Sequence, residues 1–363
     1  MAIKIIAEIG VNHDGQLDRA LSLIGACAEA GADYAKFQAF RTDDVLSADA
    51  ERAAYQTDRL GEGTQADMVR ALELSPNDFR AVVAECKARG ITFLATPFDD
   101  ASLDLIVDDL GSRTVKIGSG DLDNLPLLVR AAAKGVDMIV STGMATLGEI
   151  EIAVGALCHG RALHEAGRSP SLTSFPSREE LLGARERLAS PPDFLTLLHC
   201  TSEYPVKHNT LNMGMIGLLR RAFDVRVGFS DHSTDHVAAV MAVALGSKVL
   251  ERHITYDRAA KGPDHAASLS PEEFAEMVRQ VRAAEVAMGP GRKVMSEGER
   301  GVRRVARKRI VARRSIAAGE RIGLDAIAFK RAREGMEAGQ VFDVLDRPAA
   351  RDLAPDEALV VSS

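Results

Sequence analysis

The sequence predicts a (β/α)8 barrel over residues 1–289, followed by a smaller β-rich unit. Eight short aliphatic runs alternate with eight segments of helical periodicity, and eight strand–helix units are the number that closes such a barrel. An open doubly wound sheet is the alternative, but it usually needs fewer units and has a glycine-rich first turn. The first turn here, Gly10–Gly15, lacks that glycine spacing, so the barrel is favoured.

The predicted strands are runs of aliphatic and β-branched residues, as expected for parallel strands that are buried on both faces. They are Ile3–Ile9, Asp33–Ala39, Ile91–Thr96, Thr114–Ile117, Met138–Thr142, Phe194–Cys200, Arg226–Phe229 and Lys248–Ile254. The predicted helices are Leu17–Ala30, Pro76–Arg89, Ala101–Leu110, Leu125–Lys134, Leu147–Leu163, Leu211–Phe223, Asp235–Leu245 and Pro271–Met288. Serine before proline marks two helix starts, at Ser75 and Ser270, and glycine follows several helices.

Two segments interrupt this alternation. Arg41–Leu74 predicts a long loop or a short helical excursion, and the proline-containing His159–Asp193 predicts an insertion before the sixth strand; loops of this length are often lids.

After the barrel, residues 290–308 predict a basic linker and residues 309–363 a small β-rich domain. Arg292–Arg314 has ten lysines and arginines against two glutamates. A solvated tether lying on the acidic barrel is favoured over binding to nucleic acid or a membrane.

The composition is that of an ordinary soluble protein of 363 residues, with 45 basic and 52 acidic residues and a net charge of −7. The absence of Trp and an aromatic content of 4% disfavour a surface that stacks nucleic-acid bases. No apolar stretch reaches the length of a membrane span, and Lys4 and Glu8 in the first apolar run argue against a signal peptide. The four cysteines form no CxxC pair, which disfavours a disulfide framework or a zinc ribbon. A cytoplasmic protein that binds neither nucleic acid nor membrane is therefore expected.

Polar side chains are concentrated at the carboxyl ends of the predicted strands, where (β/α)8 barrels carry out their chemistry. They are Glu8, Lys36, Gln38, Thr96, Lys116, Ser119, Ser141, His199, Ser202, Ser230, His232, Glu251 and His253. Two inward-facing lysines, Lys36 and Lys116, are costly to bury unless an anion compensates them, and they predict a site for a dianionic ligand. The alternatives are ion pairs between Lys36 and Glu8 or Glu251, and a lysine that forms a Schiff base.

Two histidines, His232 and His253, close the seventh and eighth predicted strands, which neighbouring parallel strands would place about 5 Å apart. Two converging imidazoles can bind Mn, Mg, Co or Zn and leave coordination positions open; a hydrogen-bonded pair in the core is the alternative. Glu8 is a candidate general acid or base, with a plain ion pair as its alternative. His199 and Cys200 are expected in the core or behind the site rather than as ligands.

Nine motifs in order resemble those of the sialic acid synthase family. They are Ala7–Gly15 (AEIGVNHDG), Lys36–Gln38 (KFQ), Ala95–Phe98 (ATPF), Lys116–Gly120 (KIGSG), Ser141–Met144 (STGM), Leu198–Pro205 (LHCTSEYP), Gly228–His232 (GFSDH), Glu251–His253 (ERH) and Gly262–His265 (GPDH). Any one of these motifs is weak, but nine in register are specific. The resemblance covers nearly the whole chain, including a tail similar to the family's antifreeze-like (SAF) domain.

The resemblance implies N-acetylneuraminate synthesis, in which phosphoenolpyruvate condenses with the open-chain aldehyde of N-acetylmannosamine, with water addition and release of phosphate. It implies that the phosphoenolpyruvate-binding residues are Lys36, Thr96, Lys116, Ser119, Ser141, Ser202 and Ser230. It also implies that His232 and His253 hold a divalent metal, Mn or else Mg or Co, and act in catalysis with Glu8. The residues that it places at the sugar are Gln38, Asp121, Tyr204, Asp264 and Arg331.

In this family the tail crosses to the partner's barrel in a domain-swapped homodimer and contributes an arginine, matched here by Arg331. Lys330–Gly335 reads KRAREG where the family usually has Lys-Arg-Pro-Gly-Asn-Gly, and Asp121 stands where glutamate is common. Both departures are compatible with a different acyl or amino sugar. The alternatives are a legionaminic acid or other nonulosonate synthase using another 2-acetamido sugar, a metal-dependent or Schiff-base aldolase on the same barrel, and a non-enzymatic binder of sugar or nucleic acid.

Overall fold

A computed structural model describes residues 2–47, 65–171, 173–188 and 192–359. The chain divides into two compact units, Met1–Gly289 and Pro290–Ser363. Among the described residues, no helix is long and apolar enough to cross a membrane.

In its described part, the first unit contains eight parallel strands. They are β1 (Lys4–Gly10), β2 (Tyr34–Ala39), β3 (Thr92–Pro97), β4 (Thr114–Ile117), β5 (Asp137–Ser141), β6 (Leu195–Cys200), β7 (Arg226–Asp231) and β8 (Val249–His253). Hydrogen bonding runs in the order β3-β2-β1-β8-β7-β6-β5-β4, so the first and last strands in sequence lie side by side. This order forms a nearly closed barrel and confirms the predicted (β/α)8 architecture.

Helices follow the strands along the chain. They are α1 (Leu17–Glu29), α2 (Thr42–Val45), α3 (Gln65–Ala71), α4 (Pro76–Arg89), α5 (Asp100–Asp104), α6 (Leu125–Ala133), α7 (Leu147–Glu165), α8 (Arg178–Leu182), α9 (Met215–Phe223), α10 (Val237–Ala244) and α11 (Pro271–Met288). The predicted cap residues begin their helices: Ser75 accepts from the Asp78 backbone N–H, and Ser270 accepts from that of Glu273.

Two helices differ most from the prediction. The segment predicted as one helix from Ala101 is α-helical only in α5 and continues as a π-helical turn over Leu105–Asp109. Helix α9 begins four residues later than predicted because Asn212 has a left-handed backbone, with φ of 46°, which interrupts the helix. The predicted excursion at Arg41–Leu74 contains α2 and α3, and its residues 48–64 lie outside the described part. Much of the predicted insertion is also helical, in the end of α7 and in α8, while residues 172 and 189–191 are outside the description.

The barrel is filled from within by a small aliphatic cluster. Its members are Ile6, Leu94, Ile139, Leu198 and Val249. Because alternate strand residues face the same way, the residues two positions further along β1, β6 and β8 project toward the carboxyl end of the barrel interior. The polar site is therefore built directly on an apolar layer.

A buried ion pair joins β7 and β8 on the outer side of the barrel wall. Arg252 Nη1 lies 2.9 Å from Asp231 Oδ2, and both side chains are fully buried. The two residues are register partners. The Ser233 backbone N–H donates to Asp231, and Arg252 donates to both the hydroxyl and the carbonyl oxygen of Ser233.

The second unit has a small core of its own, which includes Ile310, Ile316, Ile327 and Leu353. Strands β9 (Arg309–Ala312) and β10 (Ile327–Lys330) pair antiparallel in it. The segment predicted as a basic linker contains helix α12 (Glu297–Ala306), capped by Ser296. The predicted basic linker is therefore helical over these residues, where a capping box between Ser296 and Glu299 starts the helix. Residues 360–363 of the predicted β-rich domain lie outside the described residues.

Candidate active site

A cavity of about 540 Å³ opens at the carboxyl ends of the barrel strands. All the predicted site residues except Asp121 and Arg331 line it. They are Glu8, Lys36, Gln38, Thr96, Lys116, Ser119, Ser141, Ser202, Tyr204, Ser230, His232, His253 and Asp264. Residues from all eight strands and the loops after them therefore meet in one place.

Two lysines and two glutamates form a buried charge cluster at the base of the cavity. Lys36 Nζ lies 2.9 Å from Glu8 Oε2 and 3.3 Å from Glu251 Oε2. Lys116 Nζ lies 3.6 Å from Glu251 Oε1. None of these side chains is more than 5% exposed. The ion-pair alternative for Lys36 is thus present, and Glu251 is the residue that joins the two lysines.

Burial and charge oppose each other in this cluster. Burial by itself raises the pKa of Glu251, but Lys116 and Lys36 overcome it and lower the pKa to about 2. Burial raises the pKa of Glu8 above 4.5 despite the opposing effect of Lys36. Burial also lowers the pKa of Lys116, which has fewer anionic contacts than Lys36. The cluster therefore keeps Glu251 in its charged form and makes Glu8 easier to protonate.

Hydroxyl groups surround the lysines. Lys116 Nζ donates to Ser141 Oγ at 2.7 Å, and Ser230 Oγ donates to Glu251 Oε1 at 2.9 Å. The backbone N–H of Gly143 donates to Ser119 Oγ at 2.9 Å. A Cβ atom at Gly143 would lie only 2.2 Å from Ser202 Oγ and 2.8 Å from Ser119 Oγ, so a side chain there would displace both hydroxyls.

His232 and His253 face each other across the cavity, with ring centroids 5.5 Å apart, and Tyr204 packs 4.1 Å from the His232 ring. His232 Nδ1 lies 2.9 Å from the Thr201 carbonyl oxygen. If Nδ1 carries the proton, the lone pair of the neutral ring is on Nε2. His253 Nδ1 is buried without a hydrogen-bond partner in the described part of the protein, and Asp264 Oδ2 lies 3.8 Å from it.

Two imidazole nitrogens are suitable ligands for a divalent metal. The buried His253 Nδ1, which has no hydrogen-bond partner in the described part of the protein, fits the same role. Among the described residues, no group of three or more histidine, cysteine, aspartate or glutamate side chains is arranged to hold a metal. A metal at the two histidines would therefore complete its coordination with substrate or water oxygens.

Sequence reasoning missed two features of the cavity. One is an apolar wall, formed by Phe40, Val45, Leu46, Met68, Val69, Leu72, Phe98 and Met144. The spacing of Met68, Val69 and Leu72 is that of one helix face and was the available signal. The other is Cys200, whose Sγ lies 4.0 Å from His232 Nδ1. Cys200 was expected in the core or behind the site, but it shares the inward face of β6 with Leu198.

Asp121, Arg331 and the strand residue His199 lie outside the cavity lining. Asp121 is half-buried and accepts a hydrogen bond from Asn124 Nδ2 at 3.3 Å. Arg331 is exposed in the second unit. His199 lies away from the cavity: its Nε2 donates to the Leu211 carbonyl oxygen at 2.7 Å, and its ring stacks on Phe229.

Comparison with known proteins gives one consistent result. The model of the NeuB family matches residues 23–293. The chain is 37% identical to N,N'-diacetyllegionaminic acid synthase of Campylobacter jejuni over 98% of each chain. It is 33% identical to the synthase of the same name from Legionella pneumophila, over 99% of this chain and 94% of the other. The crystal structure of an N-acetylneuraminic acid (sialic acid) synthetase from Leptospira borgpetersenii has a TM-score of 0.65 at 30% identity and covers 83% of this chain and 90% of its own.

Proposed function

The chain belongs to the NeuB family of phosphoenolpyruvate-utilising sugar-acid synthases, and on that premise we propose how its cavity works. Phosphoenolpyruvate condenses with the open-chain aldehyde of a 2-acetamido sugar to give a nonulosonate. Its C3 forms the new bond to the aldehyde carbon, water adds at C2, and cleavage of the C–O bond at C2 releases phosphate. The observation that carries this proposal is the pair of buried lysines beside two histidines at one barrel mouth.

Lys36 and Lys116 bind the carboxylate and phosphate of phosphoenolpyruvate. Both are paired with glutamates, and a ligand with at least two negative charges offers them stronger, charge-assisted partners. The hydroxyls of Thr96, Ser119, Ser141, Ser202 and Ser230 complete this half of the site. Ser141 Oγ already accepts a hydrogen bond from Lys116. This bond holds the Ser141 hydroxyl at the position where the anion is to be bound.

His232 and His253 hold the divalent cation, for which Mn is the first candidate and Mg or Co the alternatives. Such an ion acts as a Lewis acid on a carbonyl oxygen when it is bound. The His232 ring is oriented by the Thr201 carbonyl and by Tyr204. The ligand set is tested by isothermal titration of Mn into metal-free enzyme. His232→Ala should abolish the binding heat, and unchanged binding would remove this residue from the metal site.

Glu8 moves the proton at the reacting aldehyde oxygen. Its raised pKa favours a carboxyl group that can hold a proton, and Gln38 Nε2 donates to its Oε1 at 3.2 Å. Gln38, Tyr204 and Asp264 face the sugar from the same side of the cavity. The general acid is therefore fixed between the phosphoenolpyruvate half and the sugar half.

The acceptor sugar has two candidates, N-acetylmannosamine and a 2,4-diacetamido-trideoxy mannose that gives a legionaminic acid. The second is favoured by the apolar wall, since a methyl group at C6 and a second acetamido methyl are less polar than hydroxyl groups. Two relatives named for N,N'-diacetyllegionaminic acid also support it.

The second unit is proposed to be the antifreeze-like (SAF) domain of this family, acting in a domain-swapped homodimer in which Arg331 serves a sugar pocket. Arg331 is exposed and therefore available for such a role. Light scattering should give twice the mass of the chain, and Arg331→Ala should raise the KM of the sugar alone. A monomeric mass would contradict the proposal.

The reaction is tested by incubating purified enzyme with phosphoenolpyruvate, Mn and a panel of aldoses. Phosphate should appear only when phosphoenolpyruvate and one acetamido aldose are both present. Release of phosphate without an aldose, or from none of the mixtures, would contradict the proposed synthase. Trapping of a pyruvate adduct by borohydride would instead support a Schiff-base aldolase.

A further inference from the structure

Two loops at the barrel mouth are joined by side chains that do not line the cavity. The β1 loop (Val11–Gly15) follows the first strand, and the β8 loop (Ile254–Leu269) follows the last. The β8 loop contains Asp264, which faces the cavity. Four buried polar residues at this junction have no part in the proposed chemistry. They are Asn12, Thr255, His265 and Ser268.

His265 is held at both ring nitrogens. Nε2 lies 3.0 Å from Asp14 Oδ1, and Nδ1 lies 2.7 Å from Thr255 Oγ1. A carboxylate only accepts hydrogen bonds, so Nε2 donates to Asp14, and in the neutral ring Nδ1 is then the acceptor for the Thr255 hydroxyl. The ring, which is 2% exposed, therefore connects the β1 loop with the start of the β8 loop.

Gly262 makes room for this histidine. A Cβ atom at Gly262 would lie 2.5 Å from Cδ2 of His265, so the turn folds tightly over the ring only because no side chain is there. The turn places Pro263 and Asp264 in the cavity lining. This contact explains the glycine and the histidine at the two ends of the GPDH motif.

A second connection runs through Asn12. Its Nδ2 donates to the Ile254 carbonyl oxygen and to Ser268 Oγ, both at 2.9 Å. Ser268 Oγ donates in turn to the backbone carbonyl oxygen of Asp264 at 2.7 Å. Both connections start in the β1 loop and end on residues that flank or include Asp264.

We propose that Asp14, His265, Asn12 and Ser268 are positioning residues that hold the Asp264 carboxylate in the acceptor half of the cavity. The inference rests on the proposed function, because it assigns Asp264 to the sugar. Titratable groups near this carboxylate are His253, whose Nδ1 is 3.8 Å away, Glu8, on the other side of Gly10, and His232, His265 and Lys36. Lys36 and Lys116 are assigned to phosphoenolpyruvate in the proposed function, so a displaced β8 loop should disturb the binding of the sugar and leave that of phosphoenolpyruvate largely unchanged.

Asp14 offers a matched pair of variants. Its φ of 51° is left-handed, a conformation that glycine and asparagine tolerate. Asp14→Asn keeps an oxygen that accepts from His265, whereas Asp14→Gly removes the acceptor without adding backbone strain. Asp14→Gly should raise the KM of the acceptor sugar about tenfold or more, while Asp14→Asn should stay near the wild-type value. The KM of phosphoenolpyruvate should be nearly the same in both variants.

Arg19→Ala is the control for general loss of contacts at Asp14. Arg19 contacts Asp14 Oδ2, so its removal leaves the bond from Oδ1 to His265 in place and should leave both KM values unchanged. Equal acceptor KM values in the glycine and asparagine variants, or an equal rise for both substrates, would overturn the proposal.

Hydrogen exchange gives a readout that does not depend on activity. The amides of residues 262–268 should exchange faster in Asp14→Gly and in Ser268→Ala than in the wild type, while those around Ser119 and Gly143 should not change. Unchanged hydrogen exchange at residues 262–268 would overturn the proposed positioning role even if the enzyme is active. A wild-type enzyme that releases no phosphate with any aldose would contradict the proposed function. The hydrogen-exchange result would still show whether these residues hold the β8 loop in place.

Discussion

Replacing Glu251 by glutamine tests the central electrostatic argument. Glu251 joins Lys36 and Lys116, and together the lysines lower its pKa from 4.5 to about 2. A shift of this size corresponds to about 3 kcal/mol of folding stability. We therefore expect Glu251→Gln to lower the free energy of unfolding at pH 7 by about 3 kcal/mol, because two buried ammonium groups lose their shared carboxylate.

The pH dependence has a definite sign. Because the folded-state pKa is depressed, the stabilisation from Glu251 is fully present above pH 4.5 and is lost as the pH falls from 4.5 toward 2. The gap between the wild type and Glu251→Gln should therefore close over that range. Urea unfolding followed by circular dichroism measures it, since the chain has no Trp for fluorescence.

Glu276→Gln is the matched control, because Glu276 forms an exposed ion pair with Arg279 on α11 and should contribute no measurable stability. A Glu251→Gln variant as stable as the wild type at pH 7 would refute the reasoning. A gap that widens as the pH falls would refute it as well, since that is the behaviour of a group with a raised pKa.

Three further predictions concern other parts of the barrel. Gly143→Ala should lower kcat/KM about a hundredfold while the fold is retained by circular dichroism, because its Cβ would lie 2.2 Å from Ser202 Oγ; near-normal activity would contradict the close approach. Asp231→Asn should cost about 3–5 kcal/mol in urea unfolding, because it leaves the buried charge of Arg252 unpaired; a loss below about 1 kcal/mol would mean that the charge finds another partner. Since burial raises the pKa of Glu8 above 4.5, kcat should fall as the pH rises through that higher value, and a Glu8→Gln variant that kept this limb of the profile would exclude Glu8 as the acid.

The strands were predictable because their apolar runs are long enough to be buried on both faces, and β4 agrees with the prediction at both ends. Helix boundaries were less predictable where backbone geometry decides them. The start of α9 depends on the left-handed Asn212, which periodicity does not reveal.

The members of the site could be predicted from their positions at strand ends, but their partners could not. Glu251 binds Lys36 on β2 and Lys116 on β4, which are brought together only when the barrel closes. The apolar wall was missed for a related reason, because the helix face of Met68, Val69 and Leu72 can be read from the sequence but the cavity that it borders forms only in the folded barrel. The metal, the role of Arg331 and the state of association stay predictions.

The ion pair behind the barrel wall limits how β7 and β8 can assemble. On β8, Arg252 lies between Glu251 and His253, whose side chains point the opposite way, and its ion-pair partner Asp231 lies directly across on β7. A shift of β8 by a single position would turn the guanidinium into the cavity. Asp231 would then remain buried against the helices without a positively charged partner. A chain that assembles in the wrong register would thus be destabilised by unpaired buried charges. The register that pairs these charges is also the one that aligns the two imidazoles.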